Sequence, residues 1–229
     1  MTRPIFYSGT KNASSWAMRA WLALREAEFD FEEIVIDIRR PQRFNNLARI
    51  GEFSPPAAVP VLDTGHTVIF DSNAIMEFAN DLCGGRLLPD DMQLRARARS
   101  LMAWQHAGLS HICRRISFES SFYPQKRQLT GQEQAECLPL FACFEECLTT
   151  SGGPYLFGEV SLADFVHTPG VFRLTRHGAN LSDWPKTKAW TRTIKAHPLV
   201  VEWMDEADQL PHIWFDDYLT PGEALRLTG

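Results

Sequence analysis

The sequence predicts a small α/β domain followed by an all-helical domain, and a change of pattern near residue 84 is the main evidence. Before that point, short β-branched and apolar runs alternate with amphipathic helical segments. Beyond about residue 92 the strand pattern stops, and apolar residues recur at helical spacing. We therefore predict an α/β domain over residues 1–83, a linker over 84–92 and an all-helical domain over 93–229.

The first elements form a βαβ unit. A β-prone run at 5–7 ends in the turn residues 8–10, and a second apolar run covers 31–38. Between them lies one helical face, made of Ala17, Ala20, Trp21, Leu24 and Ala27. Because a helix connects the two strands, we expect them to be parallel, with a right-handed crossover.

A ββα unit follows an irregular stretch that we place at 39–58, which is punctuated by prolines. Two short apolar runs, 59–62 and 67–70, flank an Asp/Gly turn and predict a hairpin. Asp71 and Ser72 then cap a helix that ends at Gly84 and Gly85. The predicted order of the first domain is therefore βαβ-ββα.

The second domain is predicted to contain five helices. The first runs from about Leu94 to Ile116, and the second lies around 140–148 with Pro139 near its start. Ser161 and Asp164 form a capping box for a third helix, which should kink at Pro169. Two more helices are predicted over 187–197 and 199–210, before an aromatic tail.

The composition excludes several classes of protein. Hydrophobic residues make up 45% of the chain and the net charge is −5, which argues against disorder and against general nucleic-acid binding. The five cysteines include no CxxC pair and match no zinc spacing, so we expect neither a dithiol centre nor a metal site. With no secretory leader pattern and no apolar run of ~20 residues, we expect a cytoplasmic protein without membrane contact.

The Val59-Pro60 pair starts a predicted strand. A cis bond here costs only about 0.5–1 kcal/mol, and it would turn the Val59 backbone outward to pair with an extended peptide ligand. From the dipeptide alone, an ordinary edge-strand proline is the favoured interpretation.

Two helix starts carry hydroxyl groups that suit a ligand. At Asp71-Ser72, the hydroxyl and nearby amides suit a carboxylate while the acid suits an ammonium group, although capping alone also explains the pair. At Ser14 and Ser15, a hydroxyl beside a helix terminus could stabilise a thiolate. Lowering a thiol pKa by one or two units takes only about 1.4–2.7 kcal/mol, but an N-cap role is again an alternative.

These residues occur in an order that resembles the glutathione transferases, and the resemblance covers nearly the whole chain. The βαβ-ββα order supports it, together with the segments 14–24 (SSWAMRAWLAL), 59–62 (VPVL), 71–75 (DSNAI) and 161–164 (SLAD). The resemblance implies a thioredoxin-like first domain, an all-helical second domain and a homodimer. It is closest to the serine-type, zeta-like or related bacterial class.

The resemblance also implies site roles, with glutathione as co-substrate. Val59, before a cis Pro60, would pair with the cysteinyl part of glutathione, and Asp71 and Ser72 would hold its γ-glutamyl end. Ser14 is the expected thiol activator, with Ser15 or Asn12 as alternatives for that position.

One part of the family pattern is absent. Ala57 and Ala58 stand where many relatives carry a basic or amide side chain before the Val-Pro pair. The glycyl carboxylate of glutathione therefore needs another donor, for which we consider Arg43 first, and then Asn45, Asn46 or Arg49.

The second substrate, a small-molecule electrophile, is expected between the domains. The candidate residues on the first helix of the second domain are Trp104, Gly108, His111 and Arg115. The hypothesis is an enzyme that directs the glutathione thiolate to this electrophile by conjugation, isomerisation or disulfide reduction. A non-catalytic binding or scaffold protein of the same fold is the alternative.

Overall fold

Four strands form one mixed sheet in the order β2-β1-β3-β4. In the computed structural model, which describes residues 3–39, 42–107 and 115–213, these strands are β1 (Ile5–Gly9), β2 (Glu32–Ile36), β3 (Val61–Asp63) and β4 (Val68–Phe70). β1 and β2 are parallel, with Ile5 opposite Glu32, and the other two pairings are antiparallel. The predicted βαβ unit and hairpin are both confirmed.

Three helices accompany the sheet: α1 (Ser15–Glu26), α2 (Arg43–Gly51) and α3 (Ser72–Leu82). α1 packs against α3, and its apolar face is buried as predicted, including Ala17, Trp21 and Leu24. The prediction of an irregular stretch over 39–58 was wrong, because nine of those residues form α2. Only Ile50 of this helix is buried, and the prolines around the helix, at 41, 55 and 56, had indicated a loop.

The remaining regular elements in the described residues are helices joined by loops and turns. They form α4 (Met92–Ala107), a 3₁₀ turn (Glu119–Phe122), α5 (Gly131–Ser151), α6 (Leu162–Arg176), α7 (Pro185–Lys195) and α8 (Pro198–Asp208). α6 is central, since it packs against α1, α4 and α7. The predicted capping box at its start is confirmed: the Asp164 carboxylate accepts from the Ser161 amide (2.9 Å) and also from the Trp190 indole (2.8 Å).

One helix start differs clearly from the prediction. α5 begins at Gly131, where Thr130 and Glu133 form a capping box, and Pro139 lies inside the helix rather than near its start. The predicted extension of α4 toward Ile116 falls on residues 108–114, and the aromatic tail falls on 214–229, both outside the described residues. None of the helices in the described ranges is long and apolar enough to cross a lipid bilayer.

The loop between β1 and α1 is fastened to the last helix. The Trp203 indole of α8 donates to the Lys11 carbonyl at 3.2 Å, and the Lys11 ammonium lies 2.7 Å from a Glu206 carboxylate oxygen. The side-chain amide of Asn12 donates to the Pro211 carbonyl at 2.9 Å. The position of this loop therefore depends on residues near the end of the described chain.

Candidate active site

A cleft of about 460 Å³ opens between the sheet and the helices of the second half of the chain. The start of α1 forms one wall, α2 and the Val59 segment form another, and α4 and α6 face them. The polar side chains on its lining include Ser14, Ser15, Arg43, Gln105, Glu119 and Arg173.

Ser14 is the N-cap of α1, as its position in the sequence indicated. Its side-chain oxygen accepts a hydrogen bond from the Ala17 amide at 3.2 Å, and the residue is only 3% exposed. The hydroxyl proton is not used in that bond, so it can be donated to a group in the cleft. The first turn of α1 adds the partial positive charge of its free amides.

Gly9 lets Ser14 and Val59 come together. A β-carbon built on Gly9 would lie 2.8 Å from the Ser14 Cβ and 3.0 Å from the Val59 Cγ2, closer than carbon atoms approach. A side chain at this position would therefore push the two residues apart.

Ser15 has a different partner. Its hydroxyl accepts a hydrogen bond from Arg173 Nη2 at 2.9 Å, and Arg173 is itself a buried residue of α6. The guanidinium lies 5.7 Å from the Phe118 ring centroid. Arg173, which no sequence pattern indicated, places a positive charge at the start of α1.

Asn12, the third candidate beside the thiol position, lies off the cleft lining. It is 1% exposed and its side-chain amide is bonded to Pro211. Of the three candidates, the structure brings Ser14 and Ser15 to the cleft.

The Val59-Pro60 peptide bond is cis, which is the alternative to an ordinary edge-strand proline. Val59 precedes β3, and its amide and carbonyl make no backbone hydrogen bond with another residue in the part of the chain described. Its backbone therefore remains available to an extended ligand.

A second cleft of about 270 Å³ adjoins the first, and the two share Val59, Ala58, Trp16 and His106. Asp71 and Ser72 lie on its lining at the start of α3. The Asp71 carboxylate caps α3 by accepting from the Asn73 amide at 2.8 Å.

The polar groups of this second cleft are only partly satisfied. The Ser72 hydroxyl is buried and has no hydrogen-bond partner among the described residues. His106 of α4 places its Nε2 3.2 Å from the Asp71 Oδ2, and its ring packs on Trp16 at 5.0 Å between centroids. The sequence analysis did not select His106.

The structure distinguishes among the residues that were predicted to bind the glycyl carboxylate of glutathione. Arg43, at the start of α2, lies on the lining of the first cleft. Asn46 instead donates to the Asp37 carbonyl at 2.8 Å, while Asn45 and Arg49 are exposed and lie off the lining. Burial raises the pKa of Glu119 on the opposite wall, and the positive charges of Arg173 and Arg43 partly oppose that rise.

The predicted residues for the second substrate are placed differently. Trp104 is not on either cleft lining, where its neighbours Gln105 and His106 are found instead. Arg115 is also off the linings and pairs with Glu133 and Glu136 of α5. Gly108 and His111 lie outside the described residues. Within the described ranges, no group of three or more His, Cys, Asp and Glu side chains could hold a metal ion.

Comparison with known proteins gives consistent results along the chain. Residues 13–82 match the family model described as glutathione S-transferase, N-terminal domain. The chain is 29% identical to a probable maleylacetoacetate isomerase 2 of Drosophila melanogaster, over 86% of this chain and 85% of that protein. It is 27% identical to the maleylacetoacetate isomerase of Mus musculus, over 80% and 83%.

Solved structures share the fold. A glutathione transferase homologue from Burkholderia, determined with bound glutathione, superposes with a TM-score of 0.67 at 24% identity, over 90% of this chain and 98% of that one. The predicted fold, a thioredoxin-like domain followed by a helical domain, is thereby confirmed. The matched first domain, together with relatives that align over four-fifths or more of the chain, supports a glutathione transferase family for this protein.

Proposed function

We propose that the chain binds extended glutathione along the two adjoining clefts and uses it in a transfer or isomerisation reaction. One observation carries the proposal: Ser14 lines the first cleft, Asp71 lines the second, and Val59 lies on both. This arrangement supports a ligand whose sulfur lies at Ser14, whose backbone pairs with Val59, and whose amino-acid end lies at Asp71.

The residues present fit glutathione at both ends. The buried Ser72 hydroxyl and the amides at the start of α3 suit the α-carboxylate of the γ-glutamyl group, and the Asp71 carboxylate suits its ammonium. At the other end, the Arg43 guanidinium on the first cleft suits the glycyl carboxylate. We therefore assign these three residues to glutathione binding.

Bound glutathione supplies the sulfur nucleophile, and Ser14 holds that sulfur in its ionised form. One hydrogen bond to a charged acceptor contributes about 1.5–3 kcal/mol, and the helix terminus adds about 0.3–1 kcal/mol. Together these terms lower the thiol pKa by about one to three units from ~8.5, which makes much of the bound thiol reactive near neutral pH.

We propose that the electrophile is a small, conjugated acid such as maleylacetoacetate. Arg173 carries a guanidinium to the cleft beside Ser15, where it can hold a carboxylate within reach of the sulfur at Ser14. The names of the Drosophila melanogaster and Mus musculus relatives agree with this class of substrate. In this reaction Arg173 orients the acid while the chain keeps the thiolate beside its double bond.

Calorimetry and turnover test the proposal together. Glutathione is titrated into the protein, and glutathione-dependent isomerisation of maleylacetoacetate is then measured with the wild type and Arg173→Gln. We expect binding in both proteins, and a KM for maleylacetoacetate that is raised at least about tenfold in the variant.

The two negative outcomes have different meanings. The absence of binding heat at millimolar glutathione overturns the whole proposal. Binding with no glutathione-dependent turnover of conjugated acids, aryl halides or disulfides favours the alternative of a non-catalytic binding protein with this fold.

We also propose a homodimer, which the family resemblance implies. Light scattering at micromolar concentration should then give twice the mass of one chain, and a monomer at that concentration would contradict the proposal.

A further inference from the structure

A partly exposed thiol on α5, outside both clefts, lies in a cationic environment. Arg97 of α4 places its Nη2 3.4 Å from the Cys143 Sγ, close enough for a hydrogen bond to sulfur. The same Nη2 lies 3.3 Å from a Glu146 carboxylate oxygen. Cys143 is partly exposed, so a solute can reach its sulfur.

A second thiol, that of Cys147, favours the ionised form of the Cys143 thiol. Cys147 lies one turn further along α5 and is buried. Its interaction with the Cys143 thiol, together with the Arg97 charge, lowers the pKa of Cys143 to about 7, against partial burial and the Glu146 charge. The same interaction and burial raise the pKa of Cys147, which therefore remains protonated.

The other described cysteines have different surroundings. Burial raises the pKa of Cys137 to about 11. Cys83 is partly exposed, and its thiol donates to the Asn80 carbonyl at 3.4 Å. Cys143 is thus distinguished by an arginine donor, a neighbouring thiol and partial exposure to solvent.

We propose that Cys143 is a modification site that forms a mixed disulfide with glutathione. The Cys143 thiolate attacks one sulfur of glutathione disulfide, the disulfide bond breaks, and one glutathione leaves as a thiolate that takes a proton from water. The exchange conserves electrons, because one disulfide is replaced by another. It does not require the two clefts, and so it goes beyond the proposed function.

A disulfide between Cys143 and Cys147 is the competing product. The two residues are four apart on one helix, where the side chains project from successive turns and do not meet in the geometry of a disulfide without distortion. We therefore expect an external partner for Cys143.

Alkylation and exchange on the full chain test this site. Iodoacetamide labelling is followed by peptide mapping across a pH series, for the wild type, Arg97→Gln and Cys147→Ala. Arg99→Gln is the matched control, because this arginine of α4 pairs with Glu77 instead of a thiol. The Cys83 and Cys113 peptides are monitored in the same digests.

We expect Cys143 to label fastest at pH 7, with a midpoint about one unit or more below that of an ordinary thiol. Arg97→Gln should slow its labelling about threefold to fivefold and Cys147→Ala about tenfold, while Arg99→Gln leaves it unchanged. With glutathione disulfide, intact mass should increase by one glutathionyl group, located on the Cys143 peptide and lost in Cys143→Ser.

Three results would overturn the proposal. One is a faster reaction at Cys83 or Cys113 than at Cys143, and another is a Cys143 midpoint at or above the ordinary thiol value. The third is a Cys143–Cys147 disulfide as the product with glutathione disulfide. Because iodoacetamide is a neutral reagent, the first two results are independent of glutathione binding in the clefts.

Discussion

Replacing Ser14 with alanine removes one hydroxyl that is assigned two hydrogen bonds, and the two losses can be measured separately. The first bond is the cap, in which the Ser14 oxygen accepts from the Ala17 amide at 3.2 Å. Loss of an N-cap costs about 1 kcal/mol of folding free energy. The second bond is the proposed donation to the glutathione sulfur.

The loss of the second bond should change the acidity of bound glutathione more than its affinity. A hydrogen bond to a charged acceptor contributes about 1.5–3 kcal/mol, and each pKa unit corresponds to about 1.4 kcal/mol. We therefore expect the thiol pKa of bound glutathione to rise by about one to two units in Ser14→Ala. At neutral pH, kcat/KM should fall about 10- to 100-fold, with the glutathione Kd little changed.

The assay is a pH titration of the thiolate ultraviolet absorbance of bound glutathione, with Kd measured by calorimetry. Ser15→Ala is the matched control, because Ser15 is equally buried on the same cleft but accepts from Arg173. An unchanged thiol pKa in Ser14→Ala would refute the assignment. If the pKa rises in Ser15→Ala instead, Ser15 is the donor.

Three other changes probe the surrounding structure. Gly9→Ala should weaken glutathione binding about tenfold in calorimetry. The reason is that the new β-carbon would lie 2.8 Å from the Ser14 Cβ and 3.0 Å from the Val59 Cγ2. An unchanged Kd would contradict this prediction. Arg173→Lys should recover only part of the maleylacetoacetate KM lost in Arg173→Gln, since lysine lacks the bidentate geometry; full recovery would show that charge alone is sufficient. The Glu133 carboxylate lies 2.7 Å from the Arg127 guanidinium. Burial opposes the charge on Glu133, but the hydrogen bonds that this carboxylate accepts lower its pKa from 4.5 to about 2. Its stabilising contribution is present above pH 4.5 and lost as the pH falls toward 2. Glu133→Gln should therefore flatten the acid limb of a urea-unfolding series, and an unchanged limb would refute this.

The elements with regular apolar patterning were predictable from the sequence. The α1 stripe, the β3–β4 hairpin and the capping box of α6 all depend on local spacing and turn chemistry, which a single sequence carries. α2 was missed because the prolines at 41, 55 and 56 favoured a loop over the short apolar spacing of Phe44, Leu47 and Ile50. The start of α5 was available in the Thr130–Glu133 spacing, but Pro139 suggested a later boundary.

The candidate site was predictable where it depends on helix starts and less so where it depends on helix rotation. Ser14 and Asp71 begin helices, so their positions follow from the chain order. Trp104 and Gln105 are adjacent, but successive residues point about 100° apart around a helix, and only Gln105 is on the cleft lining. Arg173 was missed because a charged residue in a buried stripe has no local pattern that indicates its partner.

The bond from Trp203 to the Lys11 carbonyl spans 192 residues of sequence, and that from Asn12 to Pro211 spans 199. Contacts of such long separation close only after most of the chain is already folded. Catalytic competence should therefore be acquired late in folding. The first domain expressed by itself would contain every residue proposed to bind glutathione, but its loop between β1 and α1 would lack the hydrogen bonds to Trp203 and Pro211.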